Sequence, residues 1–457
     1  MRKNFLLIGT LILTAAGFVS RFIGFFYRIF LSRMFSSESM GIYELINPVL
    51  ALTYALCTSG IQNAISKFSA SQIGPSKKIQ QLRILLTGLF FSGFLSVGCS
   101  FFVYHFSDFI ARNLLMEERC APLLRIVALS FPAACVHSCI NGYYYGIRKT
   151  GLPAFCQLLE QIFRVGSVFM FWFYSEKYNI TFSINAAAVG LVIGEIVSAL
   201  FSLTLTWWHF AKDWLVVQNS FSPSALSTQK HLGLSACASE LLHFAAPLSL
   251  NRISLNLLST VEAAWIPAKL EQYGHTASQA LSIYGVLTGM AMTCIFFPGA
   301  ITNSISVLLM PMIAQADASK DYASIRKILK KCVCFCLAMG IGCMLLFISF
   351  GEYLGILLFD STTAGHFIRT LSLLCPVLYL NSTLYSIQNG LGRTGLTFTC
   401  SLCALCIRLL FVFFMIPVFG ISGYLWGLLT SQLFITLFHT FTLKHFLTHA
   451  KLSTPST

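Results

Sequence analysis

Continuous apolar stretches of about twenty residues, such as "ILLTGLFFSGFLSVGCSFFVY" at 84–104, recur along the whole of this 457-residue chain. As a helix, each stretch is long enough to cross about 30 Å of hydrocarbon while satisfying its own backbone hydrogen bonds. The runs are unbroken and not alternating, which favours helices over the dyad pattern of a membrane β-barrel. Composition agrees: 56% of the residues are hydrophobic and only 10% are charged, against about 25% charged in soluble domains. Such a chain has no water-compatible surface, and its solvent is a bilayer. The pattern predicts an all-α polytopic membrane protein with twelve spans, at 5–31, 41–66, 84–105, 122–146, 152–174, 183–207, 241–265, 282–310, 333–350, 366–389, 395–417 and 420–443. The basic, apolar start "MRKNFLLIGTLILTAAG" lacks a clean small-x-small cleavage site and reads as an uncleaved first span.

The net charge of +14 is topological and does not point to nucleic acid. With the N-terminus inside, one set of loops collects most of the Lys and Arg, including Lys77, Lys78, Arg83, Arg148, Lys149, Lys327, Lys330, Lys331 and Arg393. The other set holds only Arg33, Arg112, Arg119, Arg125, Lys177, Lys269 and Arg369. This positive-inside bias places both termini in the cytoplasm of a multi-pass cell-membrane protein. The sixteen cysteines lie mostly within spans, and the run "CSLCALC" (Cys400, Cys403, Cys406) reads as small packing residues and not as a metal site. No metal or cofactor is expected.

One passage is written twice. "YGIRKTGLPAFCQLLEQIFRV" at 145–165 returns as "NGLGRTGLTFTCSLCALCIRL" at 389–409, and "GIQNAIS" at 60–66 returns as "AITNSIS" at 300–306. Gly190, Gly194 and Ser198 likewise match Gly423, Gly427 and Ser431. Polar and glycine positions recur in order, so the chain divides into a six-helix lobe at 1–209, a polar cytoplasmic linker at 210–239 and a second six-helix lobe with a short tail at 240–457. An even number of spans per half gives a parallel repeat, with a pseudo-two-fold axis along the membrane normal. Lobes of this kind can rock about a central cleft, which suits transport better than catalysis.

Ionisable side chains inside spans cost roughly 2.5–3.5 kcal/mol each on insertion scales and need a partner or a purpose. Arg21 and Arg28 stand two turns apart on one helix face, and Arg252 lies in the span that repeats theirs. Three guanidiniums converging on a cleft would bind a pyrophosphate; the competing reading is that Arg28 and Arg252 snorkel to the interfaces. Glu44 and Glu262 would balance these charges, bind a coupling cation or carry a proton. Glu160 and Arg164 have the i,i+4 order of a local helix pair, whereas the second copy keeps Arg408 but replaces the acid by Ala404. Glu195 has no evident mate in the sequence. There is no GxxxxGK[ST] loop and no aqueous domain to hold an acid–base set, so no enzyme is expected. The segment "FGEYLGILLFDS" at 350–361 reads as a short amphipathic piece at the outer surface.

The passages 9–33, 141–165 and 281–311 together resemble the stage V sporulation protein B family of polysaccharide exporters. That family is related to the lipid II flippases within the superfamily that also holds the multidrug extruders. The resemblance implies a flippase that carries an undecaprenyl-pyrophosphate-linked sugar precursor of peptidoglycan, such as spore cortex, to the outer leaflet by alternating access. Its partners would be the lipid-linked saccharide, membrane lipids and cell-wall synthesis enzymes. In the Ser-Arg-x-x-Gly-x-x-Arg run of lipid II flippases, Ser20, Arg21 and Gly24 fit, while the second arginine stands one residue late, at Arg28. The rival readings are a multidrug or cation antiporter of the same superfamily and a non-transporting scaffold for wall-synthesis enzymes.

Overall fold

The computed structural model describes residues 2–71, 78–220 and 234–452, and among them there is helix and no strand. We number the main helices α1 Arg2–Met34, α2 Ser37–Ser71, α3 Lys78–His105, α4 Ala121–Ala128, α5 Phe131–Gly146, α6 Gly151–Tyr178 and α7 Asn185–Ser220. The second half continues with α8 Leu234–Tyr273, α9 Ala277–Phe296, α10 Gly299–Ala318, α11 Tyr322–Phe359, α12 Thr362–Gly390, α13 Thr394–Phe414 and α14 Ile421–Leu452. Among the described residues, eleven helices are long and apolar enough to cross a membrane, or twelve when the pair α4–α5, bent by 50°, is taken as one span.

Every expected span lies on helix, with three differences. The 122–146 span is broken between α4 and α5, where Pro132 can only start a new helix. The 282–310 span divides between α9 and α10, where Pro298 caps the second piece. The 241–265 span lies inside the 40-residue α8, which is not among the apolar candidates, since Asn251, Arg252, Asn256 and Glu262 interrupt its hydrophobicity. Of the connector at 210–239, residues 210–220 continue α7 and 234–239 open α8, while 221–233 lie outside the described residues.

The contacts sort the chain into two compact units: Met1–Ser20 with Ile46–Leu257, and Arg21–Leu45 with Leu258–Thr457. Helices α1, α2 and α8 each contribute to both. In the first unit, Phe90, Phe94, Val97 and Phe101 form a stripe along α3 that is 58–75% exposed, while Ser92 and Ser96 of the same helix are fully buried. Apolar outside and polar inside is the distribution that lipid imposes. The second unit repeats it, with Leu437 and Phe441 exposed on α14 and Ser431 and His439 buried.

The duplicated passage is the same local structure in both units. Lys149 N–H donates to the Tyr144 carbonyl and Ile147 N–H to Tyr143; Arg393 N–H donates to Gln388 and Leu391 N–H to Ile387. Each is a helix end closed by a residue in the left-handed region, Arg148 at φ 63° and its counterpart Gly392 at φ 73°. A second shared feature is a π-helical turn in the second helix of each half, Ala55–Ser59 in α2 and Val286–Ala291 in α9. Such turns break the regular hydrogen-bond ladder and concentrate at functional positions.

Candidate functional site

In the first unit the charged side chains of three apolar helices meet. Gly194 of α7 lies so close to α6 that a Cβ there would stand 2.7 Å from the Glu160 carbonyl oxygen. This approach brings the next residue, Glu195, into reach of Arg164. Arg164 Nη2 lies 2.5 Å from Glu160 Oε1 and 3.6 Å from Glu195 Oε1. From α5, His137 Nε2 lies 2.6 Å from Glu195 Oε2. The Tyr54 hydroxyl, on the residue just before the π turn of α2, donates to Glu195 Oε1 at 3.4 Å and lies 3.4 Å from the Ser130 hydroxyl. The four ionisable side chains keep only 7–18% of their surface exposed.

Charge counting shows what this cluster can do. With both carboxylates ionised, one guanidinium leaves one negative charge uncompensated in a low-dielectric interior, where such a charge costs several kcal/mol. One further positive charge closes the balance, whether a proton on His137 or on a carboxylate, or a cation. The ligating atoms of His137, Glu160 and Glu195 all lie within 4.8 Å of one another, close enough to hold a metal ion, and Arg164 supplies the fixed positive charge beside them.

The second unit holds a simpler arrangement. Arg408 Nη2 lies 2.8 Å from Glu262 Oε2, and the Tyr424 hydroxyl donates to Glu262 Oε1 at 3.0 Å. One acid meets one base, and no charge is left over. Near the π turn of α9, Arg28 Nη1 lies 2.8 Å from Glu44 Oε1 and donates to the Thr293 hydroxyl at 3.1 Å. Arg28 and Glu44 therefore hold each other. Arg21 and Arg252 differ: both are exposed, and neither has a hydrogen-bond or ion-pair partner among the described residues. They belong to different units, Arg21 to the second and Arg252 to the first.

Sequence reasoning left Glu195 without a mate and did not single out His137. Their charged partners lie 31 to 58 residues away, on α5, α6 and α7, beyond the reach of any i,i+4 rule. The signal was present, since a histidine inside the apolar 122–146 run is as much an intramembrane ionisable group as an acid. Cys400 is buried while Cys403 and Cys406 are exposed, so the "CSLCALC" thiols face different ways around α13.

The chain matches the family model described as "Polysaccharide biosynthesis protein" over residues 6–317 and the model described as "MatE" over 272–414. It is 28% identical to stage V sporulation protein B of Bacillus subtilis (strain 168), over 97% of this chain and 84% of that protein. It is 22% identical to the lipid II flippase MurJ of the same organism, over 69% of this chain and 59% of that one. Among solved structures, an inward-facing multidrug resistance transporter of the MATE family in the MOP superfamily superposes with a TM-score of 0.72, at 13% identity, over 97% of this chain and 99% of that chain. A lipid II flippase MurJ in an inward closed conformation superposes with a TM-score of 0.71, at 14% identity, over 95% and 87%. The fold is that of these transporters.

Proposed function

Because the chain belongs to the polysaccharide biosynthesis protein family, we propose that it is a flippase for an undecaprenyl-pyrophosphate-linked saccharide, moving it from the cytoplasmic to the outer leaflet for peptidoglycan synthesis. The sequence halves 1–209 and 240–457 would be the moving bodies, with both termini in the cytoplasm, as the positive-inside bias suggests. The observation that carries the reading is the contrast among the intramembrane arginines. Arg28, Arg164 and Arg408 are each held by a carboxylate, whereas Arg21 and Arg252 are exposed and uncommitted. A bare guanidinium within a span faces an aqueous cavity, and its planar fork suits pyrophosphate oxygens. Uncommitted arginines would repel a cationic drug, which weighs against the antiporter. The charge balance favours the His137–Glu160–Arg164–Glu195 cluster for ion coupling over Glu44 or Glu262, each already matched by an arginine.

The test is translocation of a lipid-linked disaccharide in proteoliposomes, comparing the parent with Arg21→Ala and Arg252→Ala at matched insertion. Loss in either variant supports the arginine site, and equal transport in all three removes it. Absence of transport by the parent under imposed potentials of either sign would favour the scaffold.

A further inference from the structure

A recess of about 470 Å³ opens in the first unit between the end of α2 and the start of α8. Its geometry follows from Gly60. A Cβ at that position would stand 2.2 Å from the Ser249 hydroxyl and 2.4 Å from the Ala245 carbonyl oxygen, so here the two backbones touch. Two turns further along α2, at Lys67, larger side chains line the space between the helices. Phe68 and Phe244 supply aromatic faces, and the Lys67 ammonium lies 3.8 Å from the centroid of Phe244 and 5.7 Å from that of Phe68. Glu240 and His243 complete the polar lining.

Lys67, Glu240 and His243 converge on this space, all exposed, and none has a hydrogen bond or ion pair among the described residues. Lys67 rests on the aromatic rings, and polar groups without hydrogen-bond partners set among apolar and aromatic faces, in a volume of this size, are the makings of a small-molecule site. The groups also specify the ligand. Lysine only donates hydrogen bonds, glutamate only accepts them, and histidine can do either, so the complement is a molecule that both accepts and donates, as the hydroxyls of a saccharide do. The phenylalanine rings suit the C–H faces of a pyranose. Glu240 opposes a polyanion, so the pyrophosphate itself does not belong here.

We propose that the recess between α2 and α8 binds the saccharide of the substrate, through Lys67, Glu240, His243 and Phe244, while the pyrophosphate is held elsewhere. This rests on the reading of the chain as a flippase for a lipid-linked saccharide. The recess stands at the end of α2 that leads towards Lys77, Lys78 and Arg83, the side that the charge bias makes cytoplasmic. It therefore faces the compartment in which such a precursor is assembled.

The test measures binding of two probes to the full-length protein in detergent: undecaprenyl pyrophosphate bearing a disaccharide, and bare undecaprenyl pyrophosphate. The parent should prefer the sugar-bearing lipid by about tenfold or more. The double variant Lys67→Gln/Glu240→Gln, which changes only exposed side chains, should abolish the preference while its affinity for the bare lipid moves by less than about twofold. Phe244→Ala should do the same, and Phe244→Tyr should retain the preference. A preference that survives in the double variant overturns the assignment. Equal binding of both lipids by the parent also overturns it and leaves the flippase reading standing, whereas a parent that binds neither lipid removes both.

Discussion

Arg408→Leu would strand the Glu262 carboxylate, whose side chain is only 6% exposed in the second unit. Two independent scales give the magnitude. Breaking a buried ion pair by removing one partner costs about 3–5 kcal/mol, and inserting an unmatched acid near the centre of a span costs about 2.5–3.5 kcal/mol. The Tyr424 hydroxyl still donates to Glu262 in the variant, so the lower part of the range applies, and we expect a loss of about 3 kcal/mol. The double variant Arg408→Leu/Glu262→Leu removes both charges; replacement of a buried pair by apolar residues is commonly neutral or stabilising by about 1–4 kcal/mol. The double variant also leaves the buried Tyr424 hydroxyl without its acceptor, at about 1–3 kcal/mol, so only the order matters: double variant near the parent, single variant well below both. Equilibrium unfolding in mixed micelles, followed by loss of helical circular dichroism, would measure it. A single variant that loses less than about 1 kcal/mol, or a double variant no better than the single, would falsify the buried pair.

Three smaller perturbations use the same unfolding measurement. Arg148→Gly should stabilise by about 0.5–1 kcal/mol, because a non-glycine residue at positive φ costs about 1–2 kcal/mol and glycine returns part of this as chain entropy; Gly392→Ala should do the reverse, and a stabilising Gly392→Ala would refute the shared turn. His439→Phe should stabilise by about 1–3 kcal/mol, since His439 is fully buried beside Phe438 and Tyr385 and neither ring nitrogen has a hydrogen-bond partner among the described residues; a lower midpoint would count against it. The Asp321 carboxylate caps α11 by accepting from the Ser324 N–H at 3.0 Å, and hydrogen bonds from the Ser324 hydroxyl and then from this N–H hold its carboxyl below the ordinary 3.8. A depressed folded-state value means that the contribution is complete above 3.8 and fades as pH falls through the lower value. Asp321→Ala should therefore weaken α11 at neutral pH and not at strongly acidic pH; an equal effect at both would refute the cap.

What was legible in the sequence follows a physical rule. Lipid makes a helix announce itself through length and hydropathy, so the positions of the spans could be read, though not the breaks before α5 and α10. Local chemistry was equally readable: the 145–165 and 389–409 passages mark two helix ends, and Glu160 and Arg164 stand at the right spacing to meet. Longer-range information was not. The 350–361 segment reads as a surface piece, yet its first ten residues continue α11, because Gly355 packs so closely on Gly365 that a Cβ would stand 2.2 Å from its nitrogen. The two glycines stand ten residues apart on different helices, beyond the i,i+4 spacing that a helical pattern reveals. The partners of Arg408, Glu195 and Arg28 were hidden for the same reason, since each meets its counterpart from a helix elsewhere in the chain.

The two copies of the repeat kept the arginine and changed what answers it. In the first unit Arg164 faces two acids, one on its own helix and one on α7, with His137 closing the group. In the second unit the acid on the arginine's own helix has become Ala404, and α8 supplies Glu262 as the single replacement. Had the duplication needed only a buried ion pair to brace each half, the simpler second arrangement would have sufficed twice. The additional acid and the imidazole of the first unit make burial more expensive, and they add nothing to packing that leucine and phenylalanine would not supply. The proposed ion-coupling role would account for them: with one further positive charge the first cluster is balanced and without it one negative charge is left over, whereas Arg408 and Glu262 balance each other. On that proposal, the first unit would carry the ion-responsive charge and the second would not.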